Sequence, residues 1–332
     1  MKRLMDLPKD CGIELNNSAE REGRWTPEVL TGKIAVGEKI KVIIFALGDV
    51  GGNLLIGLRL LGGHLISEIG IYDIDEKQMA RYEMEVGEIF AGERIMPRVK
   101  PVGIDEIGNC DVLIFCASKG VPAIGSSGDV RMAQLDANRD IISSLGEKLD
   151  AASFKGMVFL VSDPVDPLCN ELLRVSTLEP KQIRGFGLGV MYARGRYYAE
   201  RDERMSSFLK EGRAYGPHGE DLVLANSIEN YDDALSRELT DLAVKANMKV
   251  RELGFKPYIA PAFSSGALSI VDFLEGKWSY GSIYLGDGER GAYLGVRSRL
   301  EREEIVYEDL DLPEDLYIRI LRAYENLINL VH

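Results

Sequence analysis

The sequence predicts a doubly wound, mainly parallel α/β sheet over residues 39–165, followed by a second, mixed α/β domain over 166–332. Two observations predict it. Short apolar runs alternate with helix-like stretches: KVIIFAL (41–47), EIGIYDID (68–75), a segment around Val99–Val102, DVLIFCA (111–117) and MVFLVSDP (157–164). Such alternation is the signature of a parallel sheet with helices on both faces. The runs are also continuously apolar rather than alternating, as expected of strands buried on both sides.

The helical stretches are read in the same order. NLLIGLRLLG (53–62) follows the first run and EKQMARYEMEVGEIF (76–90) follows the second. A Gly/Ser-rich loop, SKGVPAIGSSGD (118–129), leads into a long amphipathic helix over 130–150. The second half carries helical stretches near 225–254 and 260–275, strand-like pieces near 281–297 and a last helix over 313–331. Residues 1–38 are polar, mixed and without periodicity, and are read as an N-terminal arm with short strands.

Composition narrows the class. The chain has 332 residues, a hydrophobic fraction of 45% and a formal net charge of −13. That hydrophobic fraction is ordinary for a globular protein with a core. An acidic surface repels phosphate backbones and anionic lipid, so neither nucleic acid nor membrane is an expected partner. No apolar run reaches the ~18 residues that span a bilayer. The N-terminus has no apolar signal region. The four cysteines form no C-x-x-C pair, so no metal site or disulfide framework is expected and reduced cytoplasmic thiols are.

Two motifs point to a dinucleotide. Ala46-x-Gly48-x-x-Gly51 sits directly after a strand and opens a helix. Gly48 would let the backbone approach a pyrophosphate, Gly51 would allow close helix–strand packing, and the helix N-terminus would stabilise the phosphate charge. The turn Gly48, Asp49, Val50 and Gly51 is therefore read as cofactor-binding, with alanine in place of the first glycine. Asp73 ends the next apolar run, about 20 residues on, where an acid accepts from the adenosine ribose hydroxyls. A carboxylate there repels a 2′-phosphate, which favours NAD over NADP. The competing reading of each, an ordinary turn and a solvated strand end, is outweighed by the strand–turn–helix–strand context.

Of three histidines, His64 lies in a turn before the second run and His332 is the last residue. His218 lies in AYGPHGEDLV, a Gly/Pro-rich turn read as lying between helical segments, and is the candidate for acid–base work.

These landmarks resemble those of the lactate/malate dehydrogenases, in that family's order from about Lys41 to the C-terminus. GPHGEDLV resembles G-E-H-G-D-S, GFGLGVMYARGRYYA (185–199) resembles G-x-G-T-x-L-D-x-A-R-x-R-x-x-x-A, and VSDPVD (161–166) resembles V-S-N-P-V-D. Arg131 and Asn138 stand at the spacing of R-x-x-L-x-x-x-N, and PYIAPA (257–262) and AYLGV (292–296) resemble later landmarks.

The resemblance implies an NAD-dependent dehydrogenase of a small 2-hydroxy or 2-keto acid, cytoplasmic and a homodimer or homotetramer. It divides the chain into the arm, a dinucleotide-binding domain (39–165) and a substrate and catalytic domain (166–332). His218 would pass the proton, Arg194 would clamp the substrate carboxylate with two prongs, and Arg131 would polarise the carbonyl. Asn138 matches by spacing alone, and a helix-surface role fits equally. The pattern breaks at four places. The aspartate that orients the histidine is Met191, the asparagine of N-P-V-D is Asp163, a second loop arginine is Gly125, and a pocket serine or threonine is Pro257. Gly125 argues against a second substrate carboxylate, unless Ile124 or Lys119 does the reading. Asp163 would pair with His218, attract a cationic substrate group, or be satisfied by backbone amides. Two other functions are weighed. Met191 and Asp163 favour a catalytically silent NAD-binding protein, which the joint presence of His218, Arg131 and Arg194 opposes. A glycosidase with a transient NAD redox step would need a metal held by cysteine and histidine, and no cysteine lies near His218 in sequence.

Overall fold

The computed structural model describes residues 2–14, 28–90, 92–119, 130–301 and 304–332, with the backbone alone at 28, 29, 31, 35 and 130–134. A helical turn, α1 (Leu7–Asp10), and α2 (Glu28–Ala35) precede β1 (Ile40–Phe45). Strands and helices then mostly alternate through α3 (Asp49–Leu61), β2 (Ile66–Tyr72), α4 (Glu76–Gly87), β3 (Arg98–Pro101), β4 (Val112–Phe115), α5 (Val130–Ala151), β5 (Met157–Leu160), α6 (Val165–Val175) and β6 (Ile183–Gly185). The second half adds α7 (Leu188–Ala199), α8 (Phe208–Glu211), the hairpin of β7 (Arg213–Tyr215) and β8 (Val223–Ala225), and α9 (Asp233–Glu252). It closes with a π-helical stretch (Pro261–Ala267), α10 (Leu268–Leu274), β9 (Ser279–Gly286), β10 (Gly291–Glu301), β11 (Glu304–Tyr307) and α11 (Glu314–Val331).

The central sheet has nine strands in the order β11-β10-β9-β6-β5-β4-β1-β2-β3. The stretch from β3 to β6 is parallel throughout. The predicted doubly wound sheet is therefore present, and the apolar runs form its interior: β4 and β5 are buried at every residue. The sheet continues past the parallel part, because β9 joins β6 antiparallel at Gly185 and Ser282. One apolar cluster packs Ile40, Ile44, Leu54 and Leu58 of the first half with Ile270, Phe273 and Leu274 of the second.

Two local expectations are corrected. Where it is described, the arm is mostly short helical turns, with a single antiparallel bridge from Lys2 to Leu312 in place of strands. Leu4, Leu7 and Ile13 are buried against Leu316, Tyr317 and Ile320 of α11, and the Tyr317 hydroxyl donates to Asp10 at 2.8 Å. Helical turns this short do not persist alone; tertiary docking holds them, so no periodicity announces them. His218 lies in the turn between the short strands β7 and β8, not between helices.

One core residue breaks the rule for buried charges. Arg184 on β6 is fully buried, with its guanidinium 4.1 Å from the Phe273 ring centroid and 5.2 Å from that of Phe186. Its Nη2 donates to the Ser298 hydroxyl at 2.9 Å, while Nε and Nη1 have no partner among the described residues. Burial pushes the guanidinium down to about 9. Replacing an unpaired buried charge with an apolar side chain of similar length is neutral to stabilising by about 1–4 kcal/mol. Arg184→Met is thus expected to raise the urea midpoint at an unchanged m-value; a lower midpoint would show that the ring contacts outweigh the desolvation.

Candidate active site

In open α/β sheets ligands bind beyond the carboxyl ends of the strands, where the strand order reverses. Here that point lies between β1 and β4. The fingerprint turn sits on it. Ala46 closes β1 by donating its N–H to Tyr72 O at 2.7 Å. It adopts φ +78°, the left-handed region, where a residue with a Cβ is strained by about 1–2 kcal/mol. The backbone thus takes the conformation a glycine would supply although the residue is alanine. Gly51 is required sterically, because a Cβ there would lie 2.0 Å from Ala46 O. Gly48, by contrast, faces open space, with nothing within 4 Å of the same construction.

Gly48 is the N-cap of α3 and no side chain caps it. The first-turn N–H groups of a helix lack intrahelical acceptors, so open space and unsatisfied donors coincide, as a pyrophosphate requires. Val50 is half-buried against the core. The Asp49 side chain points elsewhere, to Lys256 Nζ at 3.3 Å, from a largely exposed position. Asp73 accepts from Leu47 N–H at 2.7 Å and from Asp75 N–H at 2.9 Å. The acid is therefore tied to the fingerprint turn itself. These residues fit a dinucleotide.

The strand ends beside this cradle are cross-linked. Asn138 on α5 is buried, and its amide accepts from Lys119 N–H at 2.9 Å and donates to Asp163 O at 3.1 Å. Its side chain joins the loop after β4 to the loop after β5. The Ser162 hydroxyl adds a second link to Ala117 O at 2.7 Å. Arg131 belongs to the first turn of α5, but its side chain, together with Ile124, Gly125 and the rest of 120–129, lies outside the described residues.

Next to this link the structure joins two candidates 55 positions apart in sequence. Nδ1 of His218 donates to Oδ1 of Asp163 at 2.8 Å. The side chains are 12% and 50% exposed respectively, which puts the pair at the surface rather than in the core. Crowding by neighbouring atoms pushes the Asp163 carboxyl upward although half of the side chain reaches solvent, but the His218 charge and hydrogen bond, with the nearby Arg194 guanidinium, outweigh it and hold the carboxyl below its usual range. Opposite charge within a few ångströms has this effect.

Arg194 on α7 is half-buried. Its Nη1 donates to Met191 Sδ at 3.2 Å and its Nη2 to Asn247 Oδ1 on α9. Burial lowers its proton affinity, with Asp163 and Tyr198 opposing. Met191 is buried and its sulfur faces Arg194. Pro257 stands, half-exposed, in the loop after α9 beside Lys256. Ser265 braces this wall by accepting from Val190 N–H at 2.8 Å and donating to Gly187 O at 2.7 Å.

Residues 40–185 match the family model described as the lactate/malate dehydrogenase NAD binding domain. Over these residues the chain is similar to the NAD binding domain of the lactate/malate dehydrogenases, at low identity to the relatives that it matches. It is 25% identical over 192 residues to the L-lactate dehydrogenase of Mycoplasma pneumoniae, a match covering 56% of this chain and 58% of that enzyme. The matched stretch therefore spans little more than half of that relative's length. The L-lactate dehydrogenase of Staphylococcus haemolyticus is 21% identical over 295 residues, covering 80% of this chain and 91% of that one. Among solved structures, the malate dehydrogenase of Archaeoglobus fulgidus in complex with NADH superposes with a TM-score of 0.72 at 18% identity, covering 88% of this chain and 98% of that one. The apo malate dehydrogenase of Picrophilus torridus gives the same TM-score and identity, covering 88% and 96%.

Within this lactate/malate dehydrogenase relative, sequence reasoning missed Asn247 and Ser265. No motif marks either one; only the fold brings α9 and the π-helical stretch against α7.

Proposed function

We propose that this lactate/malate dehydrogenase relative interconverts a small 2-keto acid and its 2-hydroxy acid, with NAD(H) as cofactor. The observation that carries the reading is the His218–Asp163 hydrogen bond, with the Arg194 guanidinium near its carboxylate. NAD(H), when bound, supplies or accepts the hydride. The chain's own residues do the rest. The first-turn N–H groups of α3 hold the pyrophosphate and Asp73 the ribose. Arg194 receives the substrate carboxylate, with Asn247 fixing the plane of its fork. Asp163 orients the His218 ring through Nδ1, which leaves Nε2 to give a proton to the carbonyl oxygen in reduction and to take it back in oxidation. Arg131 polarises that carbonyl. Asn138 supports the cofactor side from beneath, through the two loop backbones it joins. The substrate is a monocarboxylate, with oxaloacetate a poor one, since Gly125 offers no cation.

A panel of 2-keto acids with NADH, followed by loss of NADH absorbance, tests this reading. NADH binding without turnover of any keto acid would instead support a silent NAD-binding protein, for which the prior engagement of Arg194 by Met191 and Asn247 speaks. Fast, saturable oxaloacetate reduction at low concentration would overturn the substrate assignment. The protein is proposed to act in the cytoplasm as a homodimer or homotetramer. No described helix is long and apolar enough to cross a membrane.

NAD is preferred over NADP because a 2′-phosphate would meet the Asp73 carboxylate. Asp73→Asn keeps an acceptor for the Leu47 N–H and removes the charge. Two unit charges at 4 Å in water repel by about 1 kcal/mol, so the NADH-over-NADPH preference in fluorescence titrations is expected to narrow roughly five-fold. Equal binding of both cofactors by the native protein would refute the assignment.

A further inference from the structure

The fingerprint turn carries an acid that phosphate binding does not call for. Gly48-Asp49-Val50-Gly51 opens α3, and Asp49 is its first helical residue. An acid in a first turn favours the helix, because it meets the positive end of the helix dipole. The same acid opposes a second anion at that end. Asp73 is tied to the turn as well, through Leu47 N–H. Two carboxylates therefore stand beside the donors that a pyrophosphate requires, in a chain of net charge −13.

The fold brings a cation to Asp49. Lys256 Nζ lies 3.3 Å from Asp49 Oδ2, across 207 positions of sequence. Packing further along the chain aims the loop that carries Lys256. The π-helical stretch presses on α3: a Cβ on Gly266 would lie 2.8 Å from Leu54 Cδ1, and a Cβ on Gly57 would lie 2.5 Å from the Ala267 Cβ. A residue before proline is kept from the helical region, so Pro257 limits the backbone of Lys256, and Tyr258 N–H donates to Lys256 O at 3.2 Å. The Lys256 and Asp49 side chains are 82% and 51% exposed. An ion pair that exposed adds little to stability, and the flexible lysine stem can turn to a second partner.

We propose that Lys256 is a cofactor-binding residue: it cancels the Asp49 charge in the free protein, and shares its ammonium between Asp49 and the pyrophosphate when NAD(H) is bound. Asp49 in turn keeps the lysine beside the fingerprint turn. The pair also joins the two halves of the chain at the cofactor. α3 lies in the first half, and the loop after α9 lies in the second, with Arg194 and His218.

The proposal rests on the NAD(H) reading and is tested by binding, not turnover. ADP-ribose, which carries the pyrophosphate, is titrated by calorimetry, and adenosine, which has no phosphate, by ligand-observed NMR. Two unit charges about 4 Å apart in water change an equilibrium constant about fivefold. Lys256→Gln loses one such attraction and uncovers one such repulsion. ADP-ribose and NADH are therefore expected to bind roughly 20-fold more weakly at low ionic strength, with adenosine unmoved. The loss should shrink at about 1 M salt, where charges are screened within about 3 Å. Asp49→Asn added to Lys256→Gln is expected to recover about fivefold. Unaltered ADP-ribose binding in Lys256→Gln overturns the proposal. An equal loss for adenosine also overturns it, since that marks a structural effect. A double variant as weak as Lys256→Gln alone overturns it too, because Lys256 then does not cancel Asp49. If the native protein binds neither NADH nor ADP-ribose, the cofactor reading fails and the proposal falls with it. Native binding beside an indifferent Lys256→Gln removes Lys256 alone.

Discussion

Asp163→Asn is expected to slow keto-acid reduction by on the order of 10³–10⁴, with NADH binding unchanged. The size follows from what an acid beside a catalytic imidazole does: in a serine-protease triad, replacing it with its amide costs about 10⁴ through the wrong tautomer and the lost charge. Here Asp163 is the carboxylate bonded to the His218 ring, at 2.8 Å. An asparagine amide can present its NH₂ to Nδ1, which turns Nε2 into the protonated nitrogen of a neutral ring and leaves no charge to stabilise an imidazolium. The substitution installs the amide that the family resemblance leads one to expect at this position, so the loss would be counter-intuitive from sequence alone. Met191→Asp, combined with Asp163→Asn, places a carboxylate at the other expected position and should recover part of the rate. Steady-state reduction measured with the native protein and both variants settles the matter. A harmless Asp163→Asn would show that the ring is held in another way.

Arg194→Lys should lower kcat/KM for the keto acid by about 100-fold or more. The guanidinium is half-buried and already oriented by two contacts, to the Met191 sulfur and to Asn247. Truncating or replacing one partner of a desolvated charge pair costs roughly 2–5 kcal/mol. An ammonium is a point charge without the planar fork, so it cannot keep Asn247 and grip both carboxylate oxygens together. The loss is expected mainly in KM if the clamp serves ground state and transition state alike. Unaltered kinetics in a correctly folded Arg194→Lys would remove Arg194 from the substrate site.

Much of the first half is legible from the sequence, because the signals are local. The apolar runs, the glycine turn after β1 and Asp73 at the end of β2 each depend on residues near one another. His218 is singled out by elimination among three histidines. What is not legible depends on distant pairings. Asp163 and His218 are 55 positions apart, and the sequence leaves three partners open for the carboxylate; only the meeting of the β5 end with the β7–β8 turn chooses one. Asn138 has a suggestive spacing, yet its buried amide serves two backbones, a role that no spacing reveals. Arg184 reads as an ordinary charged residue beside G-F-G-L-G and turns out to be enclosed by aromatic rings. The helical arm is invisible for the opposite reason: its turns have no amphipathic repeat and take their order from α11.

The seam between β6 and β9 has a mechanical consequence. With Gly185 paired to Ser282 and one apolar cluster straddling both halves, the nine strands behave as a single plate rather than two leaves. β6 and β9 pair at one position, Gly185 with Ser282, so the shared apolar cluster is what braces the parallel part of the sheet against a crease there. Asp163, after β5, and Arg194, on the helix that follows β6, are both mounted on this plate, so their spacing is set by the sheet and not by a hinge between halves.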